Sequence, residues 1–257
     1  MAESAARVRA ISDGDRVEIG RAASAAPSLP SFLDAFAREE VCIIAEVKRR
    51  SPSKGAIRES IVADEQASAF ERGGATAISV LTEPDHFGGS LSDLENARAR
   101  VRIPLLRKDF HHDAVQLHQA RAAGASAALL IVRALSPAKL QEMMITADEL
   151  GLESLVEVRT DAELFLALEL GARMVGINSR NLETLEVDAG VPERLLPLIP
   201  KGVIAVAESG IETRADVAER ARWGADAILV GSVFSKSEDP EAAVRSFTGV
   251  LRSPRAR

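Results

Sequence analysis

One cysteine, Cys42, in 257 residues excludes an internal disulfide. Its place in an apolar run marks it as a reduced core residue rather than a reactive thiol. An excess of positive charge is also missing. Lys and Arg total 32 against 38 Asp and Glu, a formal charge of −6. That excludes bulk nucleic-acid binding through a basic face, though not a local basic pocket for a small anion. Long apolar runs are absent too. The longest, "ASAALLIV" from Ala125 to Val132, stops at Arg133, well short of the about 20 residues a transmembrane helix needs. The first residues, "MAESAARVRAISDGDR", contain no signal-peptide apolar segment, and their acidic residues disfavour a transit peptide, so a cytoplasmic protein is expected. His86, His111, His112 and His118 show no metal-ligand spacing such as HExxH and read as surface or loop residues.

What is present is a 46% hydrophobic chain built on a repeat. Eight short β-rich runs recur at 41–47, 76–81, 103–108, 126–132, 153–158, 172–178, 202–208 and 226–231. Most are continuously apolar, as in a parallel sheet covered on its outer face. Amphipathic helical stretches lie between them. "VADEQASAFERGG" sets Ala63, Ala67 and Phe70 on one face, and Ser136-Pro137 and Thr213 read as helix starts. Glycine, a small residue and then a strand recur in "GGATAISV", "GASAALLIV", "GARMVGI" and "GADAILV". A glycine C-cap leading into a buried strand is a short αβ loop, and eight such units close a (β/α)8 barrel of the α/β class. An open doubly wound sheet is the competing architecture. It often has a Gly-rich turn after its first strand, where this chain has Arg-Arg-Ser-Pro. One barrel domain over 1–257 is expected, with residues 1–40 as an N-terminal extension packed over one end. Trp223, before Gly224, reads as a packing anchor at a helix end.

Charge gathers where barrel enzymes place their active sites, at the carboxyl ends of the strands. Run one carries Glu46 and Lys48, run three Lys108, run five Glu157, run six Asn178 followed by Arg180, and run seven Glu208 followed by Ser209. Glu46 and Lys48 share a face by alternation. A structural ion-pair network is the bland account of each residue singly. Five strand ends that all carry polar groups point instead to chemistry in a cleft. Glycine turns follow runs seven ("ESGI") and eight ("VGSVF"), the pair whose loops commonly hold phosphate on backbone N–H groups. Ser51 and Lys48 are further donors from the strand-one side.

The motifs "IIAEVKRRSPSKG", "ISVLTEPDHFGGS", "PLLRKDF", "ALLIV", "LVEV", "GINSRNLETLEVD", "AESGI" and "ILVGS", in unbroken order over about residues 41–240, resemble those of the indole-3-glycerol-phosphate synthase family. The resemblance implies a (β/α)8 barrel with an N-terminal extension. The implied reaction is decarboxylating ring closure and dehydration of 1-(2-carboxyphenylamino)-1-deoxyribulose 5-phosphate, without cofactor or metal. Carried over by position, Lys108 looks like the general acid and Glu157 its carboxylate partner in the dehydration. Lys48 lies by the substrate carboxylate and is the other candidate for the key proton. Glu46 orients the lysines and contacts substrate, and Asn178 joins the catalytic set. Arg180 resembles a binder of anionic groups, with Glu208 and Ser209 lining the mouth. Phe87 and Phe110 look like walls against the aromatic ring. Ser51, Lys48, Gly210, Gly231 and Ser232 match the phosphate site.

The implied partner is therefore a small anionic phosphorylated substrate, with no nucleic acid and no membrane, acting on a chain expected to be a monomer. Two features depart from the family pattern. Ser179 stands where an asparagine is expected. The extension looks short, and "AASAAPSLPSF" lacks the charged helix expected there. A phosphoribosylanthranilate isomerase would want a Cys–Asp pair, whereas Cys42 lies early in its strand. A non-catalytic phosphate-binding barrel would have lost one or more of Lys108, Glu157 and Glu46, and all are present.

Overall fold

The eight apolar runs become eight parallel strands because each has a face for two different cores. The computed structural model describes residues 2–53 and 55–255. Its barrel strands are β1 (Cys42–Val47), β2 (Ala77–Leu81), β3 (Leu105–Lys108), β4 (Ala127–Ile131), β5 (Glu153–Val158), β6 (Met174–Asn178), β7 (Ile204–Glu208) and β8 (Ala227–Val230). Each pairs with the next in parallel, and β8 closes on β1. The strands are shorter by one or two residues at several ends than the apolar runs suggest, because the flanking residues belong to the turns. Alternate residues then divide cleanly. Cys42, Ile44, Ala77, Leu106, Leu129, Leu155, Met174, Val206 and Leu229 pack together inside the barrel. Ile43, Ala45, Ile78, Val80, Leu105, Leu130, Val156, Val175 and Ile228 pack outward against the helices. A strand apolar on both faces has lost the period-2 signal, which explains its continuous run.

The helices of the barrel are α4 (Ala63–Arg72), α5 (Pro84–Phe87), α6 (Leu91–Arg100), α7 (Ala114–Ala122), α8 (Pro137–Glu149), α9 (Asp161–Glu169), α10 (Gly190–Leu195), α11 (Arg214–Arg222), α12 (Ser232–Lys236) and α13 (Pro240–Arg245). They follow α1 (Ala2–Arg9), α2 (Asp13–Ala25) and α3 (Phe32–Ala35) of the extension. The repeated glycine turn has one geometry. Gly74, Gly124, Gly171 and Gly224 have φ between 86° and 100°. The alanine after each returns an N–H to the helix it leaves, to Phe70, Ala120, Ala167 and Arg220 respectively. This Schellman-type closure satisfies carbonyls that the helix end would orphan, and a Cβ would disfavour it. Among the described residues no helix is long and apolar enough to cross a membrane.

The extension corrects two expectations. It is not short of charged helix: α1 carries Glu3, Arg7 and Arg9, and α2 opens on a Ser12–Asp15 capping box. Nor does it pack on one end only. Phe32 and Phe36 close the amino end of the barrel, where they are fully buried with Cys42 and Ile44. Ser31 Oγ and the Leu33 N–H donate to Glu153 at 2.8 and 2.9 Å. From there α2 runs back along α7, and α1 reaches the carboxyl ends of the strands, where Ser4 Oγ donates to the Phe110 carbonyl at 2.7 Å. Cys42 thus lies at the end opposite the mouth.

Candidate active site

The carboxyl ends of the strands surround a cavity of about 1040 Å³. Each odd-numbered strand sends one ionisable side chain inward near that end: Glu46 from β1, Lys108 from β3, Glu157 from β5 and Glu208 from β7. Barrel interiors fill in layers of four drawn from alternate strands, so a layer usually apolar here holds three carboxylates and an ammonium. Lys108 Nζ lies 3.2 Å from Glu208 Oε2 and 3.4 Å from Glu157 Oε2. Lys48, just beyond β1, reaches back to Glu46 Oε1 at 2.6 Å. Glu157 is not among the cavity-lining residues; it lies below the floor and acts on the cavity through Lys108.

Burial works to depress the Lys108 ammonium, but the charges of Glu208, Glu157 and Glu46 outweigh it and hold the pKa above the ordinary lysine value. Burial pushes Glu208 up to about 7, with Lys108 opposing and Glu157 and Glu46 adding to the rise. Its Oε1 is buried and, among the described residues, accepts no hydrogen bond. The site therefore pairs a lysine held protonated with a carboxyl group poised near neutrality, an arrangement suited to proton transfer.

The sign of the Glu208 shift sets a stability test. In the unfolded chain this carboxyl ionises at the ordinary value, 4.5. Between there and about 7 the folded state binds the extra proton, so this group's contribution to stability falls as pH rises through that window. Glu208→Gln abolishes the contribution. Urea unfolding at pH 5 and pH 8 should show the variant gaining stability relative to wild type at the higher pH.

Two glycines make room for the ionic layer. A Cβ on Gly176, in β6, would lie within clashing distance of Glu208 Oε1 and 3.3 Å from Leu155 Cδ1. One on Gly231 would clash with Glu46 Oε1 and lie 2.8 Å from Lys48 Nζ. Gly176 was not singled out in the sequence, although a glycine inside a strand signals close approach of another group. Gly176→Ala should push the Glu208 carboxylate off Lys108. It should lower kcat by at least about 10-fold, a modest part of what a positioned acid–base group contributes. Steady-state rates would check the loss and a crystal structure the displacement.

Around the rim, Asn178 Oδ1 accepts the Arg180 N–H at 3.0 Å and the Ser209 hydroxyl at 2.9 Å. Arg180 Nη1 donates to the Leu185 carbonyl at 2.6 Å, which fixes the guanidinium at the cavity edge. Ser209 and Gly210, after β7, both have left-handed backbone, φ 65° and 66°. Gly231 and Ser232 enter α12 beside them, and Ser51 faces them from the β1 side, all lining the same cavity. Every candidate site residue except Glu157 therefore lines one cavity, and Glu157 touches its floor through Lys108.

A family model described as indole-3-glycerol phosphate synthase matches residues 1–247. The chain belongs to the indole-3-glycerol phosphate synthase family. It is 52% identical to the indole-3-glycerol phosphate synthase of Kineococcus radiotolerans over 216 residues, 83% of this chain and 78% of that protein. It is 49% identical to that of Dehalococcoides mccartyi strain CBDB1 over 209 residues, 80% and 81% of the two chains. Indole-3-glycerol phosphate synthase 1 of Streptomyces coelicolor is 46% identical over 239 residues, 92% and 88%. Among solved structures, a thiamine phosphate pyrophosphorylase from Pyrococcus furiosus superposes with a TM-score of 0.60 at 18% identity, covering 80% of this chain and 93% of that one. At that identity it supports the barrel fold alone.

In this member of the indole-3-glycerol phosphate synthase family the cavity also has an aromatic wall. Phe87 of α5 and Phe110 beyond β3 face each other with centroids 6.4 Å apart. Glu83, buried, caps α5 by accepting the N–H groups of Asp85, His86 and Phe87 at 3.1, 2.7 and 3.2 Å. Asp109, also buried, accepts the Phe110 N–H at 2.8 Å. Arg7 of α1 joins them, at 3.3 Å from Glu83 and 3.1 Å from Asp109, with Asp85 at 2.9 Å. Arg7 was not singled out in the sequence, because its partners are far along the chain. His111 is a further correction. It is buried rather than on the surface, with Nδ1 2.8 Å from the Leu129 carbonyl. Burial, then the neighbouring Arg107 charge, depress it to about 4, so it stands as a neutral core group behind the wall.

Proposed function

We propose that the chain is a carboxy-lyase that converts 1-(2-carboxyphenylamino)-1-deoxyribulose 5-phosphate to indole-3-glycerol phosphate, a step of tryptophan biosynthesis. The observation that carries this reading is Lys108, held between Glu208 and Glu157 beneath a cavity with an aromatic wall at one side and glycine turns at the other. In this reading the aromatic ring lies against Phe87 and Phe110. The phosphate sits over the N–H groups of Gly210, Gly231 and Ser232, with Ser51 and Lys48 completing the ring.

As the ring carbon bonds to the ketone carbon, Lys108 protonates the ketone oxygen. The carboxylate carbon then leaves as CO2, its bonding electrons restoring the ring. Lys108, reprotonated from solvent, gives a proton to the new hydroxyl as it departs as water, and the proton lost from the adjacent ring CH2 returns to the Lys108–Glu157 pair, Glu157 acting through Lys108. Lys48 holds the substrate carboxylate, Glu46 orients Lys48, Asn178 aligns the rim, and Arg180 binds an anionic group in the ground state. Glu208 and Ser209 complete the mouth. Each step is a proton transfer or a polar bond change, so the reading requires no cofactor. The same reading takes the chain as one cytoplasmic barrel domain with residues 1–40 as its extension.

The test is direct. Purified protein incubated with the substrate should generate indole fluorescence, with one CO2 released per ring closed. Tight binding of the substrate without turnover would instead make this a phosphate-ligand binding barrel.

A further inference from the structure

We propose that Ser179 is a positioning residue that holds the turn after β7 in its anion-binding shape by sharing one hydroxyl proton between two successive carbonyls. The proposal rests on the reading above that this turn carries the substrate phosphate. Ser179 is fully buried at the end of β6 and is not among the cavity-lining residues, so any effect it has on substrate passes through its neighbours. Its Oγ lies 2.9 Å from the Glu208 carbonyl and 3.0 Å from the Ser209 carbonyl. Its N–H also donates to the Glu208 carbonyl, at 3.2 Å. A serine hydroxyl has a single proton, so the two carbonyls share it.

Those carbonyls belong to the two peptides that flank Ser209. In a planar trans peptide the C=O and N–H point opposite ways. Drawing both carbonyls toward buried Ser179 therefore turns both N–H groups away from it, that of Ser209 toward β8, where Leu229 is paired with Glu208, and that of Gly210 toward the cavity that Gly210 lines. An N–H presented by left-handed backbone beside Gly231 and Ser232 of the same cavity helps form an anion-binding concavity. The shape needs holding, because Ser209 at φ 65° carries a Cβ in a conformation that disfavours one. Asn178 holds its side chain at 2.9 Å, and Arg220 Nη2 donates weakly to the Gly210 carbonyl at 3.4 Å. Ser179 is the side chain whose hydroxyl engages both flanking peptides. The task suits a small hydroxyl.

The experiment compares wild type, Ser179→Ala and Ser179→Cys, with inorganic phosphate as a competitive inhibitor of turnover. Cysteine fills the space but is a poor donor. Loss of one shared hydrogen bond should raise both the KM and the phosphate inhibition constant by about 3- to 10-fold in each variant. The expected kcat stays within about 2-fold, as for loss of uniform binding. Should the alanine variant not fold, the cysteine variant decides. If both variants keep the wild-type phosphate constant, the proposal fails. It fails equally if only alanine is impaired, which would mark a packing role, or if kcat falls with the phosphate constant unchanged, which would place the effect on Glu208. A wild-type enzyme that turns over substrate but is not inhibited by phosphate would overturn the phosphate placement itself.

Discussion

Lys108→Ala should lower kcat by about 10²–10⁴-fold, the range that a positioned general acid contributes, with little loss of ground-state affinity. Lys108 sits on the cavity floor with Nζ between Glu208 and Glu157 at 3.2 and 3.4 Å. Because those charges hold its pKa above the ordinary lysine value, it is in its donating form throughout the neutral range. Its charge also meets the negative charge that develops on the ketone oxygen, an interaction stronger in the transition state than before it. Lys48 is placed differently. It is paired with Glu46 at 2.6 Å and lies beside Gly231 and the turn entering α12. Lys48→Ala should therefore raise KM as well. Steady-state kinetics of the two variants separate the assignments. Near wild-type kcat in Lys108→Ala, with turnover abolished in Lys48→Ala, would move the acid to β1 and leave Lys108 as a supporting charge.

The ionic layer was legible in the sequence because strand alternation and barrel layering are local rules. Once "IIAEVK" is read as a strand, Glu46 and Lys48 must share a face, and Lys108, Glu157 and Glu208 follow at equivalent strand ends. The glycine turns were legible for the same reason, since Gly74, Gly124, Gly171 and Gly224 repeat one closure between helix and strand. What was not legible depends on partners distant in the chain. α1 has a polar composition, and its place is set by Arg7 meeting Glu83 and Asp109 across the mouth. His111 follows a strand and reads as loop, but the barrel folds it onto the Leu129 carbonyl. Gly176 looks like any strand glycine until Glu208 is brought beside it. Ser179 reads as an ordinary serine after a strand, and its hydroxyl contacts lie in a turn thirty residues later.

The opposite end of the barrel should govern stability and leave the chemistry alone, and Asp226→Ala tests that division. Asp226 precedes β8 and gathers three donors. Arg255 Nη1 lies 2.6 Å from Oδ2, Arg252 Nη1 3.3 Å from Oδ1, and the Ala205 N–H donates to Oδ2 at 2.8 Å. The two arginines fasten the carboxyl-terminal segment across the amino end of the barrel. Arg252 also donates to the carbonyls of Phe36 and Glu40, and Arg255 to those of Gly224 and Val203. Removing the carboxylate leaves Arg255, whose side chain is 8% exposed, without its counterion and the buried Ala205 N–H without its acceptor. Breaking a buried ion pair from one side costs about 3–5 kcal/mol. For a chain of this size each kcal/mol moves the midpoint by about 2–4 °C, so the apparent Tm should fall by about 10 °C. At 25 °C the folded variant should keep the wild-type kcat and KM, because every group proposed for the reaction lies at the other end of the strands. An unchanged melting temperature would show that the segment contributes nothing to holding the barrel. A loss of kcat without loss of stability would show that the two ends are coupled.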